Sequence, residues 1–71
     1  MARQRGEDSN TARVLNNLGV LDRNQNRMEE ARREYDEALG IYQRFAARDP
    51  DRFTMDVKRV KALIAELQAA N

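Results

Sequence analysis

Carboxylates are the side chains in this sequence that come closest to catalytic or metal-binding chemistry. Glu29, Glu30, Glu34, Asp36 and Glu37 lie close together in the chain. Glu30 and Glu34 are four residues apart, so on a helix they would share one face, and carboxylate oxygens are common ligands of divalent cations. A second helix offers no inward-facing partner ligand for them. We therefore interpret the cluster as a solvated acidic face and predict no metal site.

Other groups on which enzymes rely are missing from the sequence. It contains neither histidine nor cysteine, which excludes disulfides, thiol chemistry and the usual zinc ligands. It also has no glycine-rich phosphate loop and no serine in the context of a nucleophile. We therefore expect a protein that is not an enzyme and that holds no cofactor.

Chain length and net charge argue against further classes of function. The chain has 71 residues and a net charge of +1, so it forms one domain at most and has no electrostatic preference for nucleic acid or an anionic membrane. No apolar run reaches transmembrane length, and the N-terminus has no apolar segment of the kind found in signal peptides. We expect a cytoplasmic protein whose partners are neither membranes nor nucleic acids.

The composition, rich in Ala, Arg, Glu, Leu and Gln, predicts an all-α fold. Residues 1–8 are polar, without periodicity, and are predicted to be a disordered tail. A first helix is expected over about 10–24, with its cap within Ser9–Thr11. Its apolar stripe is Val14, Leu15, Leu18 and Leu21, with Ala12 and Gly19 on flanking rows. Its opposite side carries Arg13, Asn16, Asn17, Val20 and Arg23.

A second helix is expected over about 27–48, started by a capping-box-like pair of Asn26 and Glu29. Gly40 inside it indicates either the close approach of another helix or a bend. The apolar positions form a heptad seam, which we interpret as core rather than as an aromatic ligand box. They are Met28, Ala31, Tyr35, Ala38, Tyr42 and Phe45.

A third helix is expected within 52–70, from about Thr54 to Ala69, after Pro50 has ended the second. It has one apolar stripe and one fully polar face, as a helix at the end of a repeat array needs. The stripe consists of Val57, Val60, Leu63, Ile64 and Leu67.

Spacing across the first two helices resembles the tetratricopeptide repeat (TPR). The pattern is Leu15-x-x-Leu18-Gly19, then Ala31-x-x-x-Tyr35, then Ala38. The chain departs from the family at Leu15, where Trp is usual, at Asp22, where Tyr is usual, and at Pro50, which comes late. The run Leu15–Gly19 and the extended second helix are similar to the longer repeats of kinesin-light-chain-type and bacterial arrays.

The resemblance implies a helix hairpin over 9–48 and a C-terminal capping helix over 52–70, as a fragment of a right-handed α-solenoid. It also implies a protein–protein interaction module, a fragment or C-terminal end of a longer array, that binds a peptide or partner protein through its first helix. The lysines of the TPR carboxylate clamp are not evident, so capture of a peptide C-terminus is not expected. Carried over by position, the partner-binding residues are Arg13, Asn16, Asn17, Val20, Arg23 and Asn24.

Two alternatives stay open. One repeat and a cap leave a face without a neighbour, which favours self-assembly into a homodimer or helix-swapped oligomer; the heptad seam also suggests an antiparallel helix-bundle dimer. A small three-helix nucleic-acid-binding domain is less favoured, because residues 28–49 carry four Arg against six acidic residues.

Overall fold

Three helices make up the computed structural model, which describes residues 8–69. They are α1 (Ser9–Asn24), α2 (Met28–Arg48) and α3 (Pro50–Ala69). No strand occurs within the described range. The all-α prediction and the order of the helices are confirmed.

The cap of α1 is Asp8, which the sequence had assigned to the tail. Its Oδ1 accepts a 2.9 Å hydrogen bond from the Thr11 backbone N–H and a 3.0 Å bond from the Thr11 hydroxyl. The prediction that Ser9–Thr11 cap the helix is therefore wrong, because a carboxylate one residue earlier satisfies the free N–H groups of the first turn. The rest of the predicted tail, residues 1–7, lies outside the described range.

Asn26 terminates α1 and does not start α2. Its φ is 67°, a left-handed conformation that Asn tolerates better than most residues. The Asn26 N–H donates to the Arg23 carbonyl at 2.9 Å, and the Arg27 N–H donates to the Asp22 carbonyl at 2.7 Å, the pattern of a Schellman motif. The predicted capping box is wrong, since Arg27 holds the cap position of α2 without a side-chain hydrogen bond.

Pro50 begins α3, four residues before the predicted start at Thr54. Proline has no N–H to leave unsatisfied and its fixed φ suits the first position of a helix. Asp49 separates the two helices, and its carbonyl accepts 3.2 Å bonds from the N–H groups of Arg52 and Phe53. The same proline thus ends α2 and starts α3.

α2 lies at the centre of the molecule and contributes most of the core. Ala31, Tyr35, Ala38 and Tyr42 of the heptad seam are buried, and Met28 and Phe45 pack against them, which confirms the seam as intramolecular core. From α3, Phe53 stacks on Phe45 with ring centroids 5.2 Å apart. Val60 and Leu67 complete this side of the core.

α1 faces the core with its small residues and not with its predicted apolar stripe. Ala12 and Gly19 are buried, whereas Val14, Leu18 and Leu21 are 55%, 41% and 51% exposed. A helix that presents small residues can come closer to its neighbour, and here the space is taken by the Tyr35 ring. The predicted stripe is therefore wrong as the core face, and Leu15 alone of its four residues packs against the core.

The two helical glycines have different surroundings. A Cβ on Gly19 would lie 2.6 Å from Cδ1 of Tyr35, so this position needs the missing side chain. A Cβ on Gly40 would meet no atom within 4 Å. Close approach of another helix therefore does not account for Gly40.

Candidate functional site

The six predicted partner-binding residues share one face of α1. At 100° per residue they fall within about a third of the helix circumference, beside the face that contacts α2. Arg13, Asn17 and Asn24 are exposed; Asn16, Val20 and Arg23 are half-buried. The exposed stripe of Val14, Leu18 and Leu21 lies on the other side of the core-facing residues. The six residues therefore lie together on α1, with Val20 packed partly into the core, and their role in binding stays a prediction.

Arg23 connects the polar face of α1 to α3. Its guanidinium Nη1 lies 3.1 Å from Oε1 of Glu66. Because Arg13 of α1 and Asp56 of α3 both lie near the Tyr42 hydroxyl, the two helices run in the same direction on one side of α2. The junction of α1 and α3 over α2 is called the groove below, although the α2 side chains beneath it, Tyr35 and Tyr42 among them, are buried.

Tyr35 of α2 lies beneath α1. Its ring lies against Gly19, and the side chain is fully buried. Burial raises the pKa of Tyr35, the positive charge of Arg23 lowers it, and the negative charges of Glu66 and Glu34 raise it. Among the described residues this hydroxyl has no hydrogen-bond partner. Arg23, Tyr35 and Glu66 are called the Arg23 cluster below.

Asn16 presents a second unsatisfied group two turns before Arg23. Its side-chain oxygen is buried and finds no hydrogen-bond partner within residues 8–69. Its spacing of seven residues from Arg23 puts the two side chains on the same side of α1, about 10 Å apart along the helix axis. The groove side of α1 therefore offers a charged donor and an amide oxygen at a fixed separation.

Tyr42 lies at the opposite end of the groove. Burial raises its pKa, and the nearby charges are those of Asp56, Arg13 and Arg59. Arg59 and Asp56 form a 3.1 Å ion pair along α3. Two phenols of α2, one heptad apart, therefore lie buried beneath the groove near its two ends.

Comparison with known families decides the nature of the helix pair. The model of the family described as tetratricopeptide repeat matches residues 11–45, which covers most of α1 and α2. The chain carries a tetratricopeptide repeat. No curated protein and no solved structure matches it.

The TPR assignment explains the architecture and gives the general function. Gly19 and Ala31 are small where the paired helices meet, and Tyr35 fills the adjacent space. TPR units are protein–protein interaction modules, typically scaffolds rather than catalysts. The long-repeat variant stays a prediction.

The sequence missed two members of the Arg23 cluster. Tyr35 was interpreted as a packing residue alone and Glu66 as part of the polar face of α3. The hydroxyl of Tyr35 could have indicated a polar role from the sequence, because a buried tyrosine normally has a hydrogen-bond partner. The Arg23–Glu66 ion pair joins residues 43 positions apart in the sequence, so the arrangement of α1 and α3 was needed to find it.

A second groove lies between the start of α2 and the end of α3. It encloses about 390 Å³, with Met28 and Leu67 on its walls and the Arg32–Asp36 ion pair, 3.3 Å, at its edge. No group of three or more potential metal ligands occurs among residues 8–69. None of the helices in that range is long and apolar enough to cross a membrane.

Proposed function

We propose that this TPR unit binds a peptide or partner protein along the polar face of α1. The single observation that carries the proposal is that Arg13, Asn16, Asn17, Val20, Arg23 and Asn24 form one continuous face beside the groove to α3. Exposed amides such as Asn17 and Asn24 donate and accept hydrogen bonds at once. They can therefore contact the backbone of an extended peptide without selecting its sequence.

We further propose that the helix pair over 9–48 acts within a longer, cytoplasmic array, with α3 as its capping helix. The exposed Val14, Leu18 and Leu21 support this proposal. They form an apolar surface on the side of α1 away from α3, where a repeat unit buries its face against a neighbour.

Selection of binders from a random peptide display library tests the main proposal. We expect the chain to enrich peptides, and a variant with Arg13→Ala, Asn17→Ala and Asn24→Ala to lose them. These side chains are exposed, so circular dichroism should show an unchanged fold. The matched control replaces Lys58, Arg59 and Lys61 of α3 with alanine. Equal enrichment by both variants and the parent chain would reject the α1 face as the binding surface.

The alternative function is self-assembly, through the exposed stripe of α1 and not through the heptad seam of α2. The heptad seam is buried within the chain, so an antiparallel dimer through that seam would require the core to open. The exposed stripe of Val14, Leu18 and Leu21 is available without rearrangement. If the chain self-associates, α1 is the helix through which we expect it to do so.

A further inference from the structure

We propose that α1 binds α1 of a second copy of this chain, with the two helices antiparallel and related by a two-fold axis near Leu18. The contact surface is the exposed stripe of Val14, Leu18 and Leu21. This inference rests on the alternative function, self-assembly, and gives it a partner surface, an orientation and a register.

The outer side of α1 is uncharged, although 35% of the residues in the chain are charged. α1 lies entirely within the described residues and has three charged side chains, Arg13, Asp22 and Arg23. At 100° per residue, none of them lies within the third of the circumference that is centred on the stripe. The exposed polar residues that flank the stripe are also uncharged: Asn10, Asn17 and Gln25. Because a two-fold contact pairs one surface with itself, a neutral surface brings no like charges together.

The spacing of the stripe matches itself when the direction of the helix is reversed. Val14 and Leu21 are seven residues apart, about 10 Å along the helix axis, and Leu18 lies near the midpoint. In an antiparallel pair about that midpoint, Val14 of each copy therefore meets Leu21 of the other. The two Leu18 side chains meet beside the two-fold axis. Every apolar residue of the stripe thus has an apolar partner.

The charge of α2 changes sign along the helix. Residues 28–38 include five acidic and two basic residues, whereas residues 39–48 include the basic residues Arg44 and Arg48 and no acidic one. The first half of α2 is therefore acidic and the second half is basic.

This change of sign favours the antiparallel orientation. α1 and α2 are joined by a short turn and run in opposite directions, so the Leu21 end of the stripe lies beside the acidic half of α2. The Val14 end lies beside the basic half. Reversing the second copy puts the acidic half of each α2 level with the basic half of the other. A parallel pair would put halves of like charge level with each other, which opposes association.

The contact is small, so the association should be weak. α1 has 16 residues and is about 24 Å long. One helix against one other buries less than the total of about 1,200 Å² found in stable complexes. We expect a Kd of roughly 0.1–1 mM, so the pair should be populated at high protein concentration.

Disulfide cross-linking of single-cysteine variants at about 1 mM protein tests the orientation. The chain has no cysteine of its own. With a mild oxidant, we expect Leu18→Cys to form a covalent dimer. Val14→Cys alone and Leu21→Cys alone should stay monomeric, because their identical positions lie about 10 Å apart along the axis, beyond the reach of a disulfide. An equimolar mixture of these two variants should cross-link. Met55→Cys, equally exposed but on α3, is the control for random collisions.

A charge exchange tests the same register without cysteine. Val14→Lys with Leu21→Glu puts unlike charges together in the antiparallel pair, so light scattering at low salt should still show association. Val14→Glu with Leu21→Glu puts like charges together and should give a monomer. Both side chains are exposed, so circular dichroism should show an unchanged fold in each variant.

Several results would overturn the inference. Covalent dimers of Val14→Cys alone and of Leu21→Cys alone would show a parallel pair. Cross-linking no faster than that of Met55→Cys at every position, in a chain that associates by light scattering, would move self-assembly to another surface. A parent chain that stays monomeric at 1 mM or above would reject self-assembly together with this inference. Peptide binding by the polar face of α1 is decided separately by the display selection.

Discussion

At position 19 the absence of a side chain determines how closely α1 and α2 pack. Tyr35 occupies the space where a Cβ would lie, and the aromatic ring is fixed in the core. At position 40 the same absence serves no packing purpose, because the space beside it is open. The two glycines therefore form a natural pair for comparison.

We expect Gly19→Ala to destabilise the chain by about 2 kcal/mol or more, because Tyr35 must move and core overpacking has this order of cost. Gly40→Ala should stabilise it by about 0.5–1 kcal/mol, since alanine reduces the entropy of the unfolded chain and is the better helix former. Urea denaturation gives both free energies of unfolding. Effects of equal sign at the two positions would contradict the packing described for Gly19.

Glu34 makes stability depend on pH. Desolvation is the largest cause that raises the pKa of its carboxyl. A side-chain hydrogen bond with Asp22 and the negative charges of Asp22 and Glu30 raise this pKa further, whereas the positive charge of Arg33 lowers it. The folded state therefore holds this proton more tightly than the unfolded state does. The stabilisation from the protonated group is complete below the unfolded pKa, near the ordinary value of 4.5, and is lost as the pH rises through the folded pKa.

We therefore expect Glu34→Gln to raise the melting temperature at pH 7, because glutamine removes a charge that folding desolvates. The gain should shrink as the pH falls towards the ordinary carboxyl pKa, where the parent chain is itself neutral at this position. Thermal melts across this pH range measure the difference. Glu37→Gln, on the exposed side of α2, is the control and should show no comparable change with pH. A gain for Glu34→Gln that is constant with pH would contradict the assignment.

At the scale of the helix, periodicity predicted which segments are helical but not always which side faces inward. The seam of α2 was predictable because apolar residues cover one side and charged residues the other. α1 has two candidate sides, one of large residues around Leu18 and one of small residues at Ala12 and Gly19. The side with the small residues faces the core because the Tyr35 ring fills the space beside Gly19. This contact involves α2, so the sequence of α1 alone could not predict it.

Helix ends were the other point at which sequence and structure differed. Pro50 was correctly interpreted as the end of α2 but not as the beginning of α3. Asn26 satisfied the pattern of a cap, yet its backbone closes α1 in a left-handed conformation. In both cases one residue type suits either end of a helix, and the backbone conformation decides between them.

α3 is held against α2 by a few fully buried side chains. Val60 has no exposed surface, whereas Met55 is 65% exposed. We expect Val60→Ala to cost about 2 kcal/mol, the loss of two buried methyl groups together with the cavity left behind. Met55→Ala should change the free energy of unfolding by less than about 0.5 kcal/mol. Urea denaturation measures both, and equal costs would contradict the packing of α3 described above.

For the whole molecule, the exposed apolar stripe of Val14, Leu18 and Leu21 is the surface through which we expect association. If a second copy covers this stripe, light scattering should give a mass that rises with concentration above the 8.2 kDa of one chain. Leu18→Glu with Leu21→Glu should then give a monomer at every concentration, because buried unpaired charges oppose the contact. Met55→Glu on α3 is the control and should associate as the parent chain does. A parent chain that stays monomeric at the highest concentration would reject self-assembly and leave a neighbouring repeat as the partner of this surface.

The central position of α2 also bears on how fast the chain finds its structure. α1 and α3 each pack mainly against the helix that adjoins them in sequence, so the contacts that form the core close short loops. Proteins dominated by such local contacts have low contact order and fold in microseconds to milliseconds. Folding of this chain should accordingly be complete within milliseconds in a stopped-flow or temperature-jump experiment.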